Sequence, residues 1–172
     1  LYTYAMTKRM LLTGLMAFES QYGLKWLCFI PSTLYGPGFK KHDNHFIFDL
    51  VRKIHDGKHH GAEVELWGDG YQRRELIYVD DAIDAMLSLL NEENEIFNLG
   101  SSRDLPIRHY ANEISDYVGY DSNKIVYNTE KYVGVRKRKL EVEKVQGLSL
   151  DYCKTSLKEG LRKTIDFYDE NY

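Results

Sequence analysis

The sequence predicts an α/β fold, and three observations carry that prediction. Apolar residues switch repeatedly between helical spacing and short β-branched or aromatic runs, the pattern of α/β and mixed α+β chains. A length of 172 residues with 43% hydrophobic content is enough for a compact core. Glycine and proline stand at the junctions between runs, and no internal repeat or low-complexity tract interrupts them.

From Thr3 to about Tyr22 the apolar and small residues keep helical spacing, and Gly23 supplies a stop. Lys25 to Ile30 reads as a buried strand closed by Pro31, with a loop through Gly36-Pro37-Gly38. Phe46, Leu50, Val51 and Ile54 predict a helix over 45–55 that Gly57 breaks. Strands at Glu63–Trp67 and Arg74–Tyr78 flank the turn Gly68-Asp69-Gly70, and Asp80 or Asp81 is placed to cap a helix running to about Asn91. A strand over Glu95–Leu99, a helix over Ile107–Val118, a short strand at Lys124–Tyr127 and a last helix from Ser156 to about Tyr168 complete the chain.

A net charge of -3 gives no general attraction to nucleic acid or to an anionic membrane, so any bound anion needs a local site. No apolar run approaches the roughly 20 residues that span a bilayer, and no basic stretch followed by an apolar core opens the chain; the expected location is cytoplasmic. Cys28 and Cys153 lack CxxC spacing, and Cys28, inside an apolar run, reads as a buried structural thiol. His42, His45, His55, His59 and His60 crowd one stretch without a regular ligand pattern with carboxylates, so no metal site is expected.

The sharpest local signal is Tyr4-Ala5-Met6-Thr7-Lys8. A tyrosine and a lysine four apart lie on one helix face, where the ammonium favours the phenolate and makes the phenol a usable acid near neutral pH. With 14 tyrosines in the chain, the spacing alone is equally that of a surface pair.

Four further segments follow in order: Pro31-Ser32-Thr33-Leu34-Tyr35-Gly36-Pro37, Trp67-Gly68-Asp69-Gly70, Arg74-Glu75-Leu76-Ile77-Tyr78-Val79-Asp80-Asp81 and Phe97-Asn98-Leu99-Gly100. Together with the Tyr–Lys pair, this series resembles the extended short-chain dehydrogenases/reductases, the NAD-dependent epimerase/dehydratase family, over nearly the whole chain. The resemblance implies the C-terminal part of a Rossmann fold plus a smaller mixed α/β substrate-binding domain. Residues 1–38 would close the NAD(P)-binding domain and residues 39–172 would form mainly the substrate domain, with 79–100 returning to the first. Within the family, Asn44-His45-Phe46-Ile47 and the tract Arg136-Lys137-Arg138-Lys139-Leu140-Glu141-Val142 are similar to the GDP-L-fucose synthases.

The resemblance implies a catalytic set of Tyr4, Lys8 and His45. Tyr4 would protonate the sugar carbonyl oxygen, Lys8 would lower its pKa and bind the nicotinamide ribose, and His45 would be the acid of epimerisation. Pro31, Ser32, Thr33 and Leu34, beside Tyr4, Lys8 and His45, would line the cofactor, NADP with NAD as the alternative. Lys53, Trp67, Arg74 and Arg138 would hold a nucleotide-diphosphate sugar, a GDP-sugar by preference. Arginine offers the diphosphate a bidentate fork and an indole covers a ring face, although Trp67 also suits a core and Arg136 to Lys139 also suit a solvated surface. The family further implies a homodimer through the first helix, with Met10, Leu11, Leu15 and Phe18 facing outward.

Two departures bear on the sugar: Val133 stands where the family carries an acidic residue, and the loop before His45 is shorter. The glycine-rich dinucleotide fingerprint is missing, so the sequence is expected to be a fragment that does not form the whole cofactor site. The competing readings are a nucleotide-sugar 4-epimerase or 4,6-dehydratase with bound NAD, and a non-catalytic nucleotide-sugar or NAD(P)-binding module.

Overall fold

The computed structural model describes residues 2–172; Leu1, the start of the first predicted segment, lies outside the described residues. The chain runs through α1 (Tyr2–Tyr22), β1 (Leu27–Pro31), β2 (Thr33–Tyr35), α2 (Phe46–His60), β3 (Glu65–Trp67) and β4 (Arg73–Tyr78). There follow α3 (Val79–Ser88), β5 (Glu95–Leu99), β6 (Asp104–Pro106), α4 (Ile107–Val118), β7 (Val126–Asn128), β8 (Lys137–Arg138), α5 (Glu143–Gly147) and α6 (Leu157–Asn171). A single 3-10 turn at Ser122–Lys124 precedes β7.

The pairing is mainly parallel, as an α/β chain requires. β1 pairs with β5, β2 with the second half of β4, and β3 with β7, each in parallel. The first half of β4 takes β6 antiparallel on one side and β8 parallel on the other. β3 and β4 therefore do not form the hairpin that the Gly68-Asp69-Gly70 turn implies. Gly68 and Gly70 do adopt positive φ, 81° and 73°, but the loop redirects the chain to a different partner.

Strand β4 divides the interior. Leu76 and Tyr78 join one core cluster, with Tyr35 from β2, Ile47, Leu50, Val51 and Ile54 from α2, Ile114 from α4 and Leu161 and Ile165 from α6. Ile77, on the other face, joins Ala82 and Ala85 of α3, Phe97 and Leu99 of β5, Val145 of α5 and Tyr152. The alternation follows from the two-residue period of a strand.

Gly57 does not break α2, which continues to His60 and ends at Gly61 with φ 66°. Gly57 is required for a close approach instead: a Cβ there would meet Val64 Cγ2 at 2.4 Å and the Tyr120 ring at 3.0 Å. Neither Asp80 nor Asp81 is the cap of α3. The N-cap is Tyr78, without a side-chain cap bond, and the buried Asp81 carboxylate instead accepts from the Thr155 amide at 3.0 Å and hydroxyl at 2.8 Å. Ser156 caps α6 by accepting from the Glu159 amide. Cys28 is half-buried rather than buried.

Helix α1 stands apart, since none of its described residues is buried. Met10, Leu11 and Phe18 are 70%, 62% and 54% exposed, whereas Leu15 is half-covered. The Trp26 indole N–H, donating to Glu19 at 2.8 Å, ties the end of α1 to the start of β1.

Candidate functional site

Tyr4 and Lys8 fall on one face of α1, with the Lys8 ammonium 5.6 Å from the Tyr4 ring centre. Tyr4 is 63% exposed, so the phenol is accessible. Pro31 ends β1 and Thr33 begins β2, which sets Pro31–Leu34 at the carboxyl end of a parallel strand, the edge where open α/β sheets bind ligands. Ser32 donates its amide to the Leu99 carbonyl at 2.7 Å, and its buried hydroxyl has no hydrogen-bond partner among the described residues.

A second group gathers around β4 and β8. Arg74 and Arg138 are register partners on these strands, which turns both side chains to the same face. The register pairs Arg138, and not Lys139, with Arg74. Arg74 is anchored by donating from Nη1 to the carbonyls of Arg73 at 2.9 Å and Val135 at 2.8 Å. Burial first, and then the Arg138 charge, hold its pKa below the usual arginine value.

His45 is the N-cap of α2, and its amide donates to Asp43 Oδ1 at 3.0 Å. Its ring lies near Phe46 and Phe48. Although the residue keeps solvent access, crowding by protein atoms lowers its pKa below 6.5; Asp43 works against that shift and Arg138 adds to it. A neutral imidazole is therefore favoured, and Arg138 acts on both His45 and Arg74.

Lys53 is already engaged, with its ammonium 3.0 Å from Asp49 Oδ2 and donating to the Glu65 carbonyl at 3.1 Å. Trp67 ends β3 with its side chain out of the core, 56% exposed. Val133 lies against the adjoining loop, since a Cβ on Gly68 would come within 2.4 Å of its Cγ1. An apolar contact thus occupies the position of the family's acidic residue.

Glu75 was not singled out by sequence reasoning, yet it organises the site. Buried in β4, its carboxylate accepts from the amides of Ser102 and Leu140, both at 2.7 Å. It thereby fixes the tract that carries Arg138, and Gly100 is the residue small enough to lie against it. An acidic residue between two arginines and the apolar end of the strand was the available signal. Tyr110 adds a second brace, donating to the Arg74 carbonyl at 2.7 Å. A separate cleft of about 230 Å³ is lined by Tyr35, Tyr78, Asp81, Arg103, Tyr110 and Cys153, and none of the sequence-predicted site residues lines it.

Parallel strands alternating with helices, and a loop at the carboxyl end of β1, define the chain as part of a Rossmann-like α/β protein. Residues 1–100 match the NAD dependent epimerase/dehydratase family, and the chain belongs to that family. It is 32% identical over 173 residues to probable GDP-L-fucose synthase 1 of Oryza sativa subsp. japonica, covering 98% of this chain and 52% of the relative. The structure of UDP-glucose 4-epimerase with UDP-glucose from Thermotoga maritima is 29% identical, with a TM-score of 0.84 over 97% of this chain and 53% of that one. A GDP-L-fucose synthetase from Naegleria fowleri bound to NADP shares the fold, with a TM-score of 0.89 at 24% identity over 98% of this chain and 56% of that one. The chain thus spans about half the length of the relatives it matches.

Proposed function

We propose that this chain supplies the Tyr–Lys helix and the sugar-nucleotide face of an NADP(H)-dependent epimerase-reductase acting on a GDP-4-keto-6-deoxy-hexose. The observation that carries the reading is the register pairing of Arg74 with Arg138, distant in sequence, with His45 within reach of the Arg138 charge; burial first, and that charge as a smaller cause, lower the pKa of His45 and Arg74. The residues also fit a nicotinamide cofactor: the Tyr4–Lys8 pair is accessible, and Pro31–Leu34 sits at a strand's carboxyl end with an unpartnered Ser32 hydroxyl. When bound, NADP(H) supplies the hydride.

This chain's own residues handle protons and charge. Tyr4 holds the proton destined for the carbonyl oxygen, and Lys8, on the same helix face, reaches the nicotinamide ribose. His45 supplies a proton at the carbon beside the ketone, as the acid of the epimerisation. Arg74 and Arg138 hold the diphosphate with charge-assisted bonds, and the exposed Trp67 covers a ring. Lys53 can join them with its third ammonium hydrogen, the other two facing Asp49 and the Glu65 carbonyl.

In the same reading, residues 1–38 close the dinucleotide-binding domain and residues 39–172 form the substrate domain, with 79–100 returning to the first. The separation of the core clusters supports this division, although Tyr35 packs into the cluster built on α2 and α6. The exposed Met10, Leu11 and Phe18 face a second copy of the chain, and the protein works in the cytoplasm. Light scattering that finds only monomer at micromolar concentration removes the dimer.

The 29% identity to a UDP-glucose 4-epimerase favours one second reading, an epimerase acting at a single carbon with retained NAD. Incubation of the intact protein with NADPH and GDP-4-keto-6-deoxymannose, followed by product analysis, decides between them. We expect one NADPH consumed per epimerised product. Interconversion of UDP-hexoses without net NADPH use would reverse the choice.

A further inference from the structure

The carboxyl ends of α2 and α6 meet at a side-chain cluster outside the residue set above. His55 and His59 are one turn apart on α2, their ring centres separated by 4.4 Å, and Asp169 lies in the last turns of α6. One ligand atom from each of the three lies within 4.8 Å of the others. We propose that His55, His59 and Asp169 bind a divalent transition-metal ion of the zinc class, with the remaining position open to water.

The donor set suits that ion. Two imidazole nitrogens and a carboxylate oxygen are zinc, copper or nickel ligands rather than calcium ligands, and histidines four apart on a helix share a face. His55 is held in place: its side chain is only 15% exposed and its ring meets Tyr168 edge-on at 5.0 Å. His59 and Asp169 are exposed, which gives an ion access.

His55 Nε2 and Asp169 Oδ1 are now 2.8 Å apart. Ligands at about 2.0–2.1 Å from a tetrahedral zinc stand roughly 3.3–3.4 Å apart. The half-exposed Asp169 side chain can draw back by that difference. On the far side of the ring, His55 Nδ1 is buried without a hydrogen-bond partner, and Asp56 Oδ1 stands 3.7 Å away. Carboxylates in that position orient metal-bound imidazoles, so a slight ring rotation on binding would also satisfy the orphaned nitrogen. The ion would staple α2 to α6, independently of the sugar-nucleotide reading.

The test is Zn(II) titration of the intact, chelator-stripped protein against a competing chromophoric chelator, with thermal unfolding measured alongside. We expect one saturable equivalent in the micromolar range and a higher unfolding midpoint with zinc. His59→Ala and Asp169→Asn, both at exposed positions, should weaken binding at least as much as the roughly 10–100-fold that loss of an orienting carboxylate costs, and should abolish the midpoint rise. His60→Ala, next in sequence but outside the set, should leave both unchanged. Absence of saturable binding, full binding by His59→Ala, or an equal loss in His60→Ala would each overturn the site.

Discussion

Helix α1 and the β4–β8 ledge carry the two halves of the proposed chemistry, and they are built in opposite ways. None of the described residues of α1 is buried, and its Tyr4–Lys8 pair is fixed mainly by helical spacing. On the ledge, Arg74 and Arg138 are set by strand register, by the buried Glu75 and by Tyr110. A helical motif needs only local geometry, whereas an anion-holding ledge assembled from three distant segments needs a core beneath it. Substitution of the Tyr4 hydroxyl should therefore change rate without changing stability or substrate binding, and substitutions on the ledge should change binding and stability together.

The largest expected effect is that of Tyr4→Phe in the intact protein. Reduction should fall by about 10²–10⁴-fold, the usual worth of a positioned general acid, while substrate affinity and the unfolding midpoint stay put. Steady-state rates beside equilibrium binding would break the comparison if affinity fell as well. Glu75→Ala comes next, because it strands two amides: it should destabilise the fold by about 2–4 kcal/mol in urea unfolding, from roughly 1–3 kcal/mol per unsatisfied group with the upper end discounted because both amides are only partly buried. A loss below about 0.5 kcal/mol, the range of ordinary surface changes, would show that the ledge does not depend on its buried acid.

Arg74→Ala should weaken substrate binding by about 10–100-fold, the equivalent of one charge-assisted bond, and leave the bound turnover rate nearly unchanged. Calorimetry with a nucleoside-diphosphate sugar would measure it, and a pure rate defect would move Arg74 out of the binding set. The smallest effect sharpens the electrostatics. His45 should titrate below 6.5 by NMR; Arg138→Ala should raise that value and Asp43→Asn should lower it further, because one neighbour disfavours and the other favours the charged ring. With the depressed pKa, the stability linked to His45 is present above pH 6.5 and fades as pH falls through the folded value. An unchanged titration in Arg138→Ala would separate His45 from the arginine pair.

What was legible in the sequence divides along the same line. α4 runs over Ile107–Val118 and β5 over Glu95–Leu99, as read from apolar spacing and the glycines that follow them. α6 begins at its Ser156 cap. These signals are local. β6, β8 and α5 escaped notice because they are two to five residues long and owe their form to distant partners. Gly57 misled because a glycine needed for a close approach to Val64 looks, in sequence, like a glycine needed for a stop. The catalytic and binding residues were named from motif order, while Glu75, which positions Arg138, and Asp169, which meets His55, become visible only once segments far apart are brought together.

Strand β4 has a consequence for how the molecule opens. It hydrogen-bonds to neighbours along its length, and successive side chains plug into different core clusters. Freeing it breaches both clusters at once, so neither can melt alone through this strand. Those amides of β4 that bond to a neighbouring strand should thus be among the last to exchange with deuterium, at the rate of global unfolding, while those of α1 exchange early through local fraying.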